Sequence, residues 1–140
     1  SGQSSYGRGV MHPSKMKNLS TMSPKERANY SIRRIADFEV LWALAQDNGD
    51  LVIDDIDSKL SILYIWPEAE LAKNFMPGHH KDNNAKPFEI SVYSMIDICI
   101  PDMNKLGVKF SVFFGPDDKS WIYTPDELKD ALEQDLQEHL

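Results

Sequence analysis

Cysteine is nearly missing from this 140-residue chain, where Cys99 stands alone. A single cysteine permits no intrachain disulfide and no cysteine-based zinc cluster. It sits in the apolar run Met95-Ile96-Asp97-Ile98-Cys99-Ile100 with no base beside it, and it reads as a small buried hydrophobe rather than a nucleophile. Long apolar runs are missing too. None approaches the ~20 residues that a membrane-spanning helix needs, and the first residues hold no signal-peptide core. A soluble protein in the cytoplasm, with no membrane partner, is therefore expected. No Gly-rich phosphate loop, nucleophile elbow or His-x-x-x-His pair occurs, and no His/Asp/Ser set shares an obvious location. The sequence accordingly assigns no catalytic residue, no metal ligands and no cofactor, and it leans away from an enzyme.

Acid is missing from residues 1–22, whose only charges are Arg8, Lys15 and Lys17, which leaves −10 on the rest of a chain whose net charge is −7. A body of that sign repels phosphate backbones, so no nucleic acid is expected as a partner. The same charge suits solubility or a basic protein partner.

What is present is an ordinary globular composition, 41% hydrophobic and 26% charged, at a length that fits one domain. Residues 1–22 are rich in Ser, Gly and Lys without a period and read as a disordered tail; Ser1-Gly2 is taken as a cloning remnant, with Met11, Met16 and Met22 as candidate starts. One arginine in Tyr6-Gly7-Arg8-Gly9 is too few for an RNA-binding segment. The expected domain is 23–140.

Ser23-Pro24-Lys25-Glu26 forms a helix start, with a capping Ser, a Pro at the first helical position and a Glu that completes the capping box. Ala28, Ile32, Ile35 and Ala36 define the inner face, while Arg27, Arg33 and Arg34 read as solvated. From Glu39 the period becomes two. A strand through Trp42, a hairpin turn at Asp47-Asn48-Gly49-Asp50, a strand at Leu51-Val52-Ile53, a turn over Asp54 to Ser58 and a strand from Leu60 to Trp66 predict an antiparallel meander. Asp54, Asp55 and Asp57 could ligate a hard cation, but they match no calcium-loop spacing and read as solvated turn carboxylates.

After Trp66, Pro67 suits the first position of a helix whose positive end favours Glu68 and Glu70. Met76 to Pro87 reads as a long loop. Phe88-Glu89-Ile90 is a short extended piece, and Ser91 caps a helix that Pro101 kinks and Gly107 stops. Val108 to Phe114 is a half-buried strand, Ser120–Tyr123 its hairpin partner, and Thr124-Pro125-Asp126-Glu127 starts a terminal helix with an acidic outer face. The fold class is α+β: an antiparallel sheet of about five strands covered by about four helices, in the order α-β-β-β-α-α-β-β-α.

Four residues are candidates for binding. Trp66 lies at the strand–helix corner, where it reads as core but could stack on a ligand. His79 and His80, in the long loop, offer imidazoles, although adjacent residues on an extended chain point apart and make a poor metal pair. Glu133 represents the acidic face of the terminal helix. Two functions follow: a non-enzymatic protein-interaction module, with a second copy of itself among the possible partners, or a small-molecule-binding protein or enzyme with a pocket near Trp66, His79 and His80. The interaction module is preferred.

The chain resembles a bacterial family known as domain of unknown function family 2750. The similarity rests on Ile35-Ala36-Asp37 leading to Trp42, on Trp66-Pro67 before an Ala-rich helix, on Pro101 before Gly107, and on Thr124-Pro125-Asp126-Glu127-Leu128. It covers about residues 23–138. The His79–Asn84 stretch departs from the pattern. That family has no established activity, so the resemblance implies a fold and transfers no site.

Overall fold

The computed structural model describes residues 12–138 and shows an α+β fold with two sheets, of two and four strands. The tail expected over residues 1–22 lies outside the described residues up to residue 11. From Pro13 to Thr21 the chain is instead helical (α1), with the His12 ring accepting the Ser14 N–H as its cap. Leu19 is buried, Lys15 stands over the Tyr30 ring and its Nζ is 3.5 Å from Glu68. The docking partners lie far away in sequence, so local composition does not announce this helix.

The second helix, α2 (Pro24–Phe38), starts with the predicted capping box, Ser23 and Glu26 bonding each other's backbone N–H. Arg27 departs from expectation. It is fully buried, and its guanidinium donates to the carbonyls of Met22, Phe113 and Lys119 and to Asp117. A fully formed set of acceptors is what allows a guanidinium to leave water.

The strands are β1 (Val40–Ala45), β2 (Ile53–Asp57), β3 (Leu60–Ile65), β4 (Lys86–Ser91), β5 (Val108–Val112) and β6 (Trp121–Tyr123). The meander does not form. Strand β1 pairs antiparallel with β4, and the other sheet has the order β2-β3-β5-β6, in which β3 and β5 run parallel. The turn before β2 is present, with Gly49 at φ +89°, but only the Ala45–Leu51 bridge joins its two arms. Asp54 to Asp57 belong to β2, and the turn shrinks to Ser58 and Lys59. Alternation reports which residues are buried, not which strand lies alongside. Because β1 is apolar on both faces, its sequence is equally compatible with β2 or β4 as a neighbour. A mutual backbone pair between Trp42 and Trp66, at 2.9 and 2.8 Å, ties the two sheets together.

As expected for a central strand, β3 is buried on both faces, with Leu63, Tyr64, Ile65 and Trp66 all inside. Helix α3 (Ala69–Phe75) starts after Glu68, so Pro67 precedes it rather than opening it. Glu68 does not cap. Its carboxylate instead accepts from the Tyr30 hydroxyl at 2.6 Å and lies 3.5 Å from both Lys15 and Arg34. A short helix, α4 (Gly78–Asp82), replaces much of the predicted loop.

Helix α5 is continuous through Val92–Ser94, a π-helical turn at Met95–Cys99, and Ile100–Leu106. Pro101 has no N–H to give, and the wider turn ahead of it accommodates the ring within the helix. Gly107, at φ 73°, ends it as predicted. The terminal helix α6 (Pro125–Glu138) carries a second capping box, between Thr124 and Glu127. It packs against α2, α5 and β5, while α3 packs on β1 and β4.

Candidate functional site

Asp54 lies on β2 opposite Ile62, which places Tyr64 of β3 two residues further along on the same face. The Tyr64 hydroxyl donates to Asp54 Oδ2 at 2.6 Å. Behind it, the Tyr64 ring stacks on Trp66 at 5.9 Å and meets Phe114 edge-on at 5.7 Å, so the phenol is braced by the core. The third group comes from α4. The N–H groups of His80 and Lys81 both bond the Pro77 carbonyl, and the Ala85 N–H closes back on His80. This fixes His80 with its Nε2 2.8 Å from Asp54 Oδ2 and its ring against the edge of Tyr64. His79 reaches the same oxygen at 3.4 Å from the solvent side, with its ring centroid 4.0 Å from that of His80.

Adjacent side chains diverge on an extended chain, but His79 and His80 lie on the short helix α4. On one turn of helix, successive side chains differ by about 100°, and both can lean to one side. The structure thus brings His79 and His80 together and adds Asp54 and Tyr64, neither of which is among the four binding candidates of the sequence. One signal was available: Asp54 directly follows the apolar run Leu51-Val52-Ile53, so extending that strand by one residue would have put a carboxylate beside β3.

Burial works to raise the Asp54 pKa, but the hydrogen bonds from Tyr64 and His80 and the proximity of both imidazoles outweigh it, and the carboxyl sits below its ordinary value. The Tyr64 phenol is pushed well up, first by burial and then by its bond to the Asp54 carboxylate, so it stays a proton donor at neutral pH. A cleft of about 580 Å³ opens beside the group, lined by residues including Gln46, Asn48, Asp54, His80 and Asn83. Its walls are the turn after β1, the start of β2 and the end of α4. Asp54 Oδ2 and the two histidine nitrogens lie within 4.8 Å of one another, two nitrogen donors and one oxygen donor that could hold a metal ion.

The other candidates fall elsewhere. Trp66 is fully buried and its indole N–H donates to the Phe114 carbonyl at 3.0 Å, so its ring supports Tyr64 rather than facing the cleft. Glu133 is exposed on α6, which contributes nothing to the cleft lining. Cys99 is half-buried; burial, then the nearby Asp102 charge, pushes its thiol up to about 11, away from the thiolate form.

Fold and site together define an α+β domain with a polar cleft lined by histidine, carboxylate and carboxamide groups. The chain belongs to the family described as Protein of unknown function (DUF2750), whose model matches residues 28–132. No curated protein matches the chain.

Proposed function

We propose that the protein binds a small polar ligand in the cleft beside Asp54. One observation carries this reading: Asp54, ionised and held by Tyr64 and His80, stands at the wall of a cleft that also presents the carboxamides of Gln46, Asn48 and Asn83. Concave sites with a few convergent polar groups and perturbed titrations are where ligands bind. Asp47 and Asp54 make the cleft anionic, and Gln46, Asn48 and Asn83 offer both donors and acceptors, which favours a ligand rich in N–H groups. The test is an amide NMR titration of the full chain with a library of small amines, amides and guanidines. Shifts clustered on Gln46, Asn48, Ile53, Asn83 and Ala85, and weakened in Asp54→Asn, support the reading. No cleft-centred shift with any member of the library refutes it.

The exposed acids of α6, Asp126, Asp130, Glu133 and Glu138, favour a second reading, a docking face for a basic protein partner. It uses a surface separate from the cleft. Capture of a partner by the wild-type chain that Glu133→Lys abolishes would support it, and capture unchanged by that substitution would remove it.

A further inference from the structure

We propose that Asp54, His79 and His80 together bind a divalent first-row transition metal of the zinc type, with an open coordination position facing the cleft. The inference rests on the reading of that cleft as a binding site and names what would occupy its wall.

The donor chemistry selects the ion. Two imidazoles and one carboxylate suit Zn²⁺ and its neighbours, whereas Mg²⁺ and Ca²⁺ want all-oxygen shells. The spacing is close to what such an ion needs. With metal–ligand bonds of about 2.0–2.2 Å, donors around a tetrahedral centre stand roughly 3.3–3.5 Å apart. His79 Nε2 is already 3.4 Å from Asp54 Oδ2, and His80 Nε2 at 2.8 Å would have to withdraw by about half an ångström to admit the ion. His79 is largely exposed and can adjust, while His80 and Asp54 are mostly enclosed and already oriented.

Two further features distinguish this from a chance gathering of ligands. The Tyr64 hydroxyl, 2.6 Å from Asp54 Oδ2, is the kind of outer hydrogen bond that fixes a ligating carboxylate, and its ring rests on the buried Trp66. The two imidazoles stand at a 4.0 Å centroid separation with donor nitrogens within 4.8 Å of each other and of Asp54 Oδ2, close enough for one ion to reach all three. Three protein ligands leave a fourth position for water or a ligand group, and the cleft beside His80 and Asp54 gives it room.

The test is calorimetric titration of the full chain with ZnCl₂ and NiCl₂, with MgCl₂ as comparator, alongside thermal unfolding. The expected result is one saturable site for Zn²⁺ and Ni²⁺, none for Mg²⁺, and a melting midpoint raised by roughly 5–10 °C at a hundredfold excess over Kd. His79→Ala, at an exposed position that leaves folding intact, is expected to weaken Zn²⁺ binding at least tenfold. Tyr64→Phe, which removes no metal ligand, is expected to weaken it by about 10–100-fold. No saturable Zn²⁺ binding, or binding that both His79→Ala and His80→Ala leave unchanged, overturns the proposal. Failure here with cleft-centred shifts from the organic library would leave a metal-free ligand site standing, whereas zinc binding without such shifts would do the reverse.

Discussion

Tyr64 and Asp54 lie diagonally across neighbouring strands, the phenol donating to the carboxylate at 2.6 Å from a ring that rests on the core. This bond joins the buried strand β3 to the β2 carboxylate that His79 and His80 approach. It separates Asp54 from Asp55 and Asp57, whose bonds to Ser61 and Lys59 are local surface contacts.

Replacing Tyr64 by Phe keeps the ring packing and deletes the donor. A hydrogen bond to a charged group contributes about 1.5–3 kcal/mol when enclosed, and partial exposure of Asp54 places the expected loss near the lower end. Urea unfolding should show a lowered midpoint with an unchanged slope. A stability equal to wild type would mean that the bond is made no better than the one water offers.

Arg27 and Gly115 form a second dependency. A Cβ at position 115 would lie 2.6 Å from the Arg27 Cζ, and the guanidinium cannot retreat because Met22, Phe113, Lys119 and Asp117 hold it. Gly115→Ala is expected to destabilise by about 1–3 kcal/mol through overpacking. Arg27→Ala, which leaves three carbonyls unpaired and a cavity where the buried side chain lay, should lose about 2–5 kcal/mol. The double variant should lose less than the sum of the two, since the clash disappears with the arginine. Additivity in a denaturation cycle would contradict this geometry.

Acid should destabilise the protein through Asp54 and Asp117. In both, burial acts to raise the pKa and is outweighed: at Asp54 by the Tyr64 and His80 bonds and the imidazole charges, at Asp117 by the Arg27 pairing and backbone N–H groups. A carboxyl whose folded pKa lies below its unfolded value adds stability that is fully present above about pH 4–5 and lost as pH falls through the folded value. Wild-type unfolding free energy should therefore drop in that window. Asp54→Asn should be less stable at neutral pH but show a shallower acid decline; an equally steep decline would remove Asp54 from the account.

Helix α1 is held by few groups, chiefly Leu19 and the Lys15 contact with Glu68 and Tyr30. Leu19→Ala should release the helix locally, with hydrogen exchange rising across Pro13–Thr21 while β3 keeps its protection. Equal loss of protection in both would show that α1 unfolds only with the whole molecule.

Which features were legible follows from the range of the forces involved. The capping boxes at Ser23 and Thr124 and the stop at Gly107 are set within a few residues and appear as read, whereas β5 ends at Val112 and buries Ser111 as well as its apolar face, so the half-buried alternation holds only at Lys109. The pairing of β1 with β4, the parallel contact of β3 with β5, the burial of Arg27 and the docking of α1 depend on groups far apart in sequence. No local pattern encodes them. The site failed in the same way. Residue type alone singles out His79 and His80, but their convergence depends on a five-residue helix meeting β2, and Asp54 falls in a segment whose composition reads as a turn. Glu68 shows the reverse error: its place near a helix start suggested a dipole contact, and Tyr30, from another helix, took it.

Diffraction from crystals of the full chain grown with Zn²⁺, measured on both sides of the zinc absorption edge, tests the central claim most directly. The account expects one anomalous peak within about 2.0–2.2 Å of His79 Nε2, His80 Nε2 and Asp54 Oδ2, with the Tyr64 hydroxyl still bonded to the carboxylate. A zinc-loaded crystal with no peak there, or with its peaks only at other surface residues, would contradict it.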